Sequence, residues 1–462
     1  MLQRTLLQDL LQLALSTGAD FAEIYCEETR RSQLSMINGN LEKASSGLDA
    51  GIGVRMLKGP QCLYSITNDW TEGALVSLVR DAAAALRDAG RSGLPPLQAT
   101  VGRCSHPVLI YPHHMAKPVK VSLLRLASDS AYAYSPLISQ TRCGMIEWES
   151  TIQIANSEGL LADDERVYSR FTVEAVAASA TEKQTGAHLP GARRGYEFFE
   201  QLPVETLAAD AARMAVTMLQ AEPCPSGQMP VVIDSGFGGV IFHESCGHGL
   251  EATALARRAS VFQGKLGQPI ASPLVTAVDD ATLAHEWGSQ DIDDEGTPTR
   301  RIVLIENGIL RSYLVDRHNG SKLGLASTGS SRRESYRYAP TSRMSNTFIA
   351  PGQDTPEAII KATPNGLYAR HMGGGSVDPA SGDFNFSVRE AYLIRDGQIA
   401  QPVRGATLIG KGADVLHRID RVGSNLELAQ GMCGSSSGSV PANVGQPMIR
   451  VSNLTVGGRG QA

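Results

Sequence analysis

The sequence has no closely spaced pair of cysteines. Its seven cysteines are an odd total, scattered through 462 residues without a CxxC spacing. This excludes the disulfide framework of a small secreted protein and favours a reducing cytoplasm. Single cysteines with special roles are therefore the ones to seek.

A basic excess and long apolar runs are also missing. The net charge of -5 and the pI near 6.1 provide no broad positive field for nucleic acid or anionic lipid. The leucine-rich N-terminus is interrupted by Gln3, Arg4, Gln8, Asp9 and Gln12. It is typical of an amphipathic helix rather than a signal peptide or membrane span. We expect a cytoplasmic protein with no nucleic-acid or membrane partner.

What is present is enough chain for two hydrophobic cores. Hydrophobic residues make up 42% and charged residues 19%, as in a soluble globular protein. Proline, glycine and serine concentrate in AEPCPSGQ, residues 221–228, which marks a boundary. We predict an N-terminal domain over 1–222 and a C-terminal domain over 223–462.

The first half mixes helical and strand patterns. A turn at Asn38 and Gly39 joins two strand-like runs. Leucines recur with helical period over 2–16, and further helices are predicted over the alanine-rich segment 72–88, over 119–133 and over 199–220. The predicted fold of this half is α+β, with helices flanking a mostly antiparallel sheet.

The second half is dominated by hairpin signals. Asn307-Gly308 and Asp396-Gly397 each separate two strand-like runs. Helix signals are scarce apart from 240–255 and 355–362. We predict a β-rich C-terminal domain, barrel-like or sandwich-like, that carries the helix over 240–255.

That helix contains HESCGH, which pairs an imidazole ligand with an adjacent carboxylate, His243 and Glu244. The second histidine, His248, follows after five residues, and five residues rotate about 140° along a regular α-helix. Both histidines can bind one ion only if the helix bulges or breaks between Glu244 and His248. Gly247 lowers the resistance to that distortion. The spacing alone leaves a metal site and a hydrogen-bonded histidine pair equally open.

A third ligand would decide between these interpretations, since catalytic zinc usually has three protein ligands. Cys433, in QGMCGSSSGSVP, is the better candidate because glycines permit close approach and a thiolate suits zinc. Taken alone, that segment also fits a serine- and glycine-rich linker. Cys246 lies within the motif and is expected to be a small buried side chain.

Other polar segments give weaker signals. His285 and Glu286 repeat the dipeptide without a second histidine, which favours a surface position. The glycine-rich segment that begins at His371 is predicted to be a flexible loop, and its contact with substrate stays open. Three arginines could meet a substrate carboxylate or form structural ion pairs: Arg332, Arg333 and Arg337.

Four segments together resemble the TldD/PmbA family of metallopeptidases, specifically its TldD side. They are HESCGHGLEA, RRESYRYAPTSRMSNTFIAPG, GGSVDPASGDFNFSVREAYLIRDGQI and GMCGSSSGSVPANVGQPMIRVSNLTVGG. The resemblance implies an HExxxH-type zinc peptidase with one Zn²⁺ per chain. His243, His248 and Cys433 would be the ligands, and Glu244 the catalytic base. It also implies a homodimer, or a heterodimer with a PmbA-like subunit.

We therefore predict a zinc metallopeptidase that cleaves unfolded or flexible peptides with broad sequence tolerance. An extended substrate could add a strand to an exposed sheet edge. The alternative is a partner-binding or assembly module with a structural metal, closed by Cys246 or His371 as a fourth ligand. A third interpretation is a cysteine hydrolase that uses Cys246 or Cys433 with a histidine.

Overall fold

The computed structural model describes residues 1–86, 93–100, 105–378 and 382–460. Within these ranges the first half contains five helices and eight strands, with a 3-10 helix at Pro112–His114. These are α1 (Arg4–Leu15), β1 (Phe21–Ile37), β2 (Asn40–Lys58), β3 (Gln61–Thr67), α2 (Glu72–Ala84), β4 (Gln98–Thr100), α3 (Lys117–Tyr134), β5 (Ile138–Asn156), β6 (Leu160–Ala178), β7 (Lys183–His188), β8 (Gly191–Ala192), α4 (Glu197–Glu200) and α5 (Val204–Gln220).

The strands of the first half form one sheet. Its order is β3-β2-β1-β5-β6-β4, with β7 and β8 also pairing with β6, and only the β4–β6 pairing is parallel. The left-handed backbone at Asn38 (φ 51°) and Gly39 (φ 75°) closes the long β1–β2 hairpin. The leucine stripe of α1 packs on this sheet, and Leu7, Leu10 and Leu11 are at most 1% exposed. Each contributes roughly 1.5–3 kcal/mol by burial.

The second half contains five short helices, two 3-10 helices and sixteen strands among the described residues. In chain order they are β9 (Glu222–Pro223), β10 (Gly227–Ile233), a 3-10 helix (Gly236–Gly239), α6 (Val240–Ser245), a 3-10 helix (Gly247–Leu250), α7 (Ala252–Ala256), β11 (Ala277–Asp280), β12 (Arg301–Glu306), β13 (Ile309–Leu310), α8 (Arg317–Leu323), β14 (Ser331–Arg332), β15 (Thr341–Ser342), β16 (Asn346–Ile349), α9 (Pro356–Lys361), β17 (Asn365–Val377), β18 (Asp383–Arg395), β19 (Gln398–Arg404), β20 (Thr407–Lys411), α10 (Gly412–His417), β21 (Ile419–Val422), β22 (Glu427–Ser435), β23 (Gly438–Gln446) and β24 (Ile449–Gly457).

Five of these strands close into a barrel. The ring runs β17-β10-β24-β20-β18 and returns to β17 through the β17–β18 pairing. A separate six-stranded sheet has the order β13-β12-β11-β16-β23-β22, which leaves β22 at its edge. The helix α6 contacts β17 and β18 of the barrel and β16 and β23 of the sheet. It therefore lies between the two, with Val240, Ile241 and Phe242 in the apolar core.

The predicted α+β class and the barrel-like second half are confirmed. The segment that begins at His371 is not a loop as predicted, because residues 371–377 continue β17 and pair with β18, while 379–381 lie outside the described residues. The predicted helix over 72–88 ends at Ala84, and 87–88 also lie outside them. The domain division at 222/223 stays a prediction. Within the described ranges, no helix has the length and hydropathy that a bilayer crossing requires.

Buried charges join the two halves of the chain. Glu23 on β1 accepts from Arg55 at 2.8 Å and from Arg333 of the second half at 2.6 Å. Arg55 also reaches Glu295 at 2.7 Å, and all of these side chains are at most 1% exposed. Removing one partner of such a cluster leaves an uncompensated buried charge and costs about 3–5 kcal/mol. Arg333 is thus engaged inside the protein.

Candidate metal centre

His243 is fixed by a helix that is packed tightly against the sheet. At Gly239, where the chain enters α6, a Cβ atom would lie 2.4 Å from the backbone of Gly445 on β23. Only glycine permits this close approach. The His243 ring is 3% exposed, and its position is set by backbone packing rather than by a flexible loop.

The five-residue spacing of the histidines is accommodated by a break in the helix. The helix α6 ends at Ser245, Cys246 leaves the helical region (φ -131°, ψ -49°), and a 3-10 helix begins at Gly247. The sequence predicted a bulge or a break, and the structure has the break. The rings of His243 and His248 consequently lie 5.1 Å apart, nearly perpendicular to each other.

Cys246, between the two histidines in the chain, lies in the apolar core. Its side chain is fully buried, and burial raises the pKa of its thiol well above the usual value. Cys246 is not part of the donor group found among the described residues, and a neutral thiol is a poor nucleophile. This matches the small buried side chain predicted for Cys246.

Cys433 comes from the edge strand β22, where it pairs with Val440 of β23. The segment around Cys433, which taken alone also fitted a linker, is therefore a strand of a hairpin. The fully buried Arg343 donates to the carbonyl oxygens of Cys433 and Gly438, the latter at 2.8 Å. Trp287 Nε1 donates to Gly431 O at 2.8 Å. These bonds hold the strand against the histidines.

The two histidines and Cys433 form one compact donor group. Cys433 Sγ lies 3.1 Å from His243 Nε2 and 3.4 Å from His248 Nε2, and the three donor atoms lie within 4.8 Å of one another. Nitrogen and sulfur bound to one tetrahedral zinc ion at about 2.0 and 2.3 Å are separated by about 3.5 Å. The donor set and its spacing fit a zinc ion. The third donor, Cys433, lies 185 residues after His248 in the chain.

The electrostatics of the group favour the thiolate. Burial alone would raise the pKa of Cys433, but the His243 and His248 imidazoles beside it outweigh burial and lower this pKa well below the usual range. Burial likewise opposes the charged form of His248, yet Glu251 and Cys433 raise its pKa well above the usual value. The thiolate is the form of cysteine that binds metal.

Two carboxylates flank His248 on opposite ring nitrogens. Glu244 Oε2 lies 3.7 Å from Nε2, and this side chain is 31% exposed. Glu251 Oε1 lies 3.2 Å from Nδ1 and is 5% exposed. The sequence prediction missed Glu251, although a carboxylate three residues after a ligand histidine is a recognisable signal. A carboxylate on the second nitrogen of a ligand histidine orients the ring and increases its basicity.

The other polar candidates lie elsewhere. Among the described residues, neither Cys246 nor His371 joins the donor group as a fourth ligand. His371 Nε2 instead lies 3.5 Å from Glu390. Arg332 is buried and donates to Met344 O at 2.8 Å, and the exposed Arg337 pairs with Asp49.

The second His-Glu dipeptide is half-buried rather than at the surface as predicted. The backbone N–H of His285 donates to His106 Nδ1 at 2.9 Å. The carboxylate of Glu286 accepts from Asn443 at 2.7 Å. Both residues have structural partners, and neither joins the donor group.

A cavity of about 550 Å³ runs along β22 as far as Met432, the residue before Cys433, and its lining includes neither the donor residues nor Glu244. One wall is the strand segment 427–432, which ends next to Cys433. The opposite wall combines residues of both halves of the chain, among them Arg170, His188, Phe237 and Arg370. An open cavity along a strand edge has the shape that an extended peptide would occupy.

Three family models match the chain. PmbA/TldA metallopeptidase domain 1 matches residues 22–86, the central domain matches 110–219, and the C-terminal domain matches 226–458. The last of these spans the whole donor group.

Individual relatives match most or a part of the chain. The metalloprotease TldD homolog of Haemophilus influenzae is 35% identical, over 95% of this chain and 93% of that protein. The zinc metalloprotease TldD homolog of Saccharolobus solfataricus is 28% identical, over 57% and 59%. The crystal structure of TldE from Thermococcus kodakarensis has the same fold, with a TM-score of 0.78 at 20% identity over 98% of this chain and 99% of that one.

Proposed function

The chain belongs to the TldD/PmbA family of metallopeptidases, and on that premise we propose that it is a zinc-dependent peptidase for unfolded or flexible peptides. The observation that carries the proposal is the donor group of His243, His248 and Cys433, with Glu244 beside it. The Saccharolobus relative is named a zinc metalloprotease, which agrees with the N, N, S donor set. One ion per chain is the expected stoichiometry.

The two histidines and Cys433 hold the metal, and Glu244 takes part in the reaction. Zinc, when bound, supplies Lewis acidity and lowers the pKa of a water molecule. Glu244, partly exposed and beside the donor group, accepts a proton from the attacking water and returns it to the leaving amine. Its exposed carboxylate can meet solvent and substrate, as a catalytic base requires, whereas Glu251 on the far side of His248 is buried.

The edge strand β22 is the proposed docking site for the peptide. It pairs with β23 on one side only and borders the cavity on the other. Strand addition at such an edge recognises the backbone of a peptide more than its side chains. Folded proteins have few free strand segments, so this mode favours unfolded substrates and broad sequence tolerance.

The experiment that tests the catalytic assignment is Glu244→Gln. The variant should keep close to one zinc per chain while cleavage of an unstructured peptide mixture, read by mass spectrometry, falls by about 10²- to 10⁴-fold. Glu306→Gln is the matched control, because Glu306 is an ion-paired surface glutamate that is half exposed. Full activity of Glu244→Gln would remove Glu244 from the role of base.

The ligand assignment is tested separately. Cys433→Ser should lose zinc and activity while the protein stays folded by circular dichroism, and Cys246→Ala should keep both. Chelation should abolish cleavage, and added zinc should restore it. A zinc ion retained by Cys433→Ser would contradict the three-residue ligand set.

Assembly and location stay part of the proposal. We expect a homodimer, or a heterodimer with a PmbA-like subunit, in the cytoplasm. Light scattering of the purified chain, alone and after co-expression with a PmbA-like protein, measures the oligomeric state. Fractionation of cells measures the location. A monomer under both conditions would overturn the dimer.

A further inference from the structure

Arg170 presents an unpaired cation to the cavity along β22. It lies on β6 and lines the cavity opposite the edge strand. Its guanidinium carbon lies 5.4 Å from the centre of the Trp287 ring, which packs over Gly191. Trp287 is fully buried, so the arginine is held against a fixed plane.

No carboxylate among the described residues lies within ion-pair distance of Arg170, and its buried Nε has no hydrogen-bond partner. Burial lowers the pKa of this guanidinium. The neighbouring Arg370, by contrast, is paired with Glu390 at 3.3 Å. A partly buried cation without a counter-ion carries a desolvation cost, and contact with an aromatic ring recovers only part of it. A negatively charged ligand could therefore serve as the counter-ion of this guanidinium.

The acidic residues of the cavity leave Arg170 available. Asp234 and Glu427 also line the cavity, but neither forms an ion pair with it. Asp234 is engaged by the Tyr368 hydroxyl and by the backbone N–H of Ser235 at 2.9 Å. An incoming carboxylate would thus meet the two Nη groups, whereas Nε is buried.

A chain of contacts relates Arg170 to the metal centre. Trp287, which packs under Arg170, donates to Gly431 O at 2.8 Å, and Gly431 precedes Cys433 by two residues on β22. At about 3.3 Å per strand residue, the guanidinium lies on the order of 10–15 Å from Cys433. An extended peptide crosses that distance in about three to five residues.

We propose that Arg170 binds a carboxylate of the peptide substrate and so sets where along the chain the peptide is cut. The carboxylate is either the free C-terminus or a Glu or Asp side chain. The inference rests on the proposed peptidase function and adds to it an anchor about three to five residues from the scissile bond. Backbone pairing with β22 leaves the register free, and Arg170 fixes it.

The test compares four forms of one unstructured peptide: free C-terminus, C-terminal amide, and the amide with either Glu or Gln placed three to five residues from the expected cut. The free-acid and amide forms isolate the C-terminus, and the Glu and Gln forms isolate the side chain. Wild type should favour the carboxylate form of at least one pair by about ten- to hundredfold in KM, as expected for a hydrogen-bonded charge.

The variants Arg170→Gln and Arg170→Lys are measured with Arg142→Gln as control, because Arg142 is a half-exposed arginine on the adjacent strand β5. In Arg170→Gln, the KM for any carboxylate peptide that wild type prefers should rise to that of its uncharged partner, which removes the preference. Arg170→Lys should keep part of it. Equal KM values for all four peptides in wild type, or a preference that survives Arg170→Gln, would overturn the proposal.

Binding to inactive protein separates this inference from the peptidase function. Fluorescently labelled forms of the four peptides are titrated into zinc-loaded Glu244→Gln protein, with and without Arg170→Gln. A carboxylate preference that depends on Arg170 supports the inference even if wild type cleaves nothing, which would overturn the peptidase function alone. Binding without any preference overturns the inference and leaves the function standing.

Discussion

Replacing Glu251 should weaken metal binding without touching a ligand. Its carboxylate lies 3.2 Å from His248 Nδ1 and is 5% exposed, so solvent screens the pair very little. In Glu251→Gln the amide oxygen can still accept the Nδ1 proton, which keeps Nε2 free to bind metal. What is lost is the charge. A hydrogen bond to a charged group contributes about 1.5–3 kcal/mol and a neutral one about 0.5–1.5 kcal/mol.

The difference of about 1 kcal/mol corresponds to about a fivefold loss of zinc affinity in Glu251→Gln. Glu251→Ala loses the acceptor as well and frees the His248 ring to turn. Removal of such an outer partner typically costs about 10- to 100-fold in affinity, or about 1.4–2.7 kcal/mol. The expected order is therefore wild type, then Gln, then Ala.

Competition with a chromophoric chelator at neutral pH measures these affinities directly. Glu149→Gln is the matched control, because Glu149 lies 2.5 Å from His113 Nδ1 in a glutamate–histidine pair outside the donor group. Its zinc affinity should equal that of wild type. If Glu251→Ala bound zinc as tightly as wild type, the buried carboxylate would have no part in holding His248.

Two further predictions concern stability. Burial lowers the pKa of His106 to about 4, so the unfolded chain binds more protons below about pH 6.5 and stability is lost as the pH falls from about 6.5 to about 4. His106→Asn, whose side-chain oxygen can accept the His285 N–H, should flatten the fall of Tm over that window, and an unchanged slope would contradict this origin. Gly239→Ala should destabilise the protein by about 1–3 kcal/mol in urea unfolding, because its Cβ would meet the Gly445 backbone, whereas Gly434→Ala, with open space around it, should be close to neutral. Equal midpoints for the two alanine variants would refute the role assigned to the close approach.

The sequence was informative wherever the determining chemistry is local. The hairpin turns at Asn38-Gly39 and Asn307-Gly308 were predictable because these residues adopt the left-handed backbone at little cost, and the φ values there are positive. The helix α1 was predictable because its leucines recur every three or four residues, which places them on one face of a helix. The need for an interruption between Glu244 and His248 also followed from helix geometry alone.

Features with partners far along the chain were not predictable from local patterns. Cys433 was the candidate third ligand, but its serine- and glycine-rich segment taken alone also fitted a linker, and the partners that hold it, Arg343 and β23, left no local signal. Arg170 has no unusual sequence context, and its significance arises from Trp287, more than a hundred residues away. Buried polar groups satisfied by long-range partners leave no periodic signal.

The five-residue spacing between the histidines of HESCGH determines more than how closely the two rings approach each other. Because the α-helix ends before Cys246 and a 3-10 helix follows it, the Nε2 atom of His248 lies near Glu244 and the Nδ1 atom lies near Glu251. One ring thus separates an exposed carboxylate from a buried one, and the two acids cannot exchange roles. Glu244→Gln should therefore lower kcat at full zinc occupancy. Glu251→Gln should lower zinc affinity and regain most of its kcat when zinc is in excess.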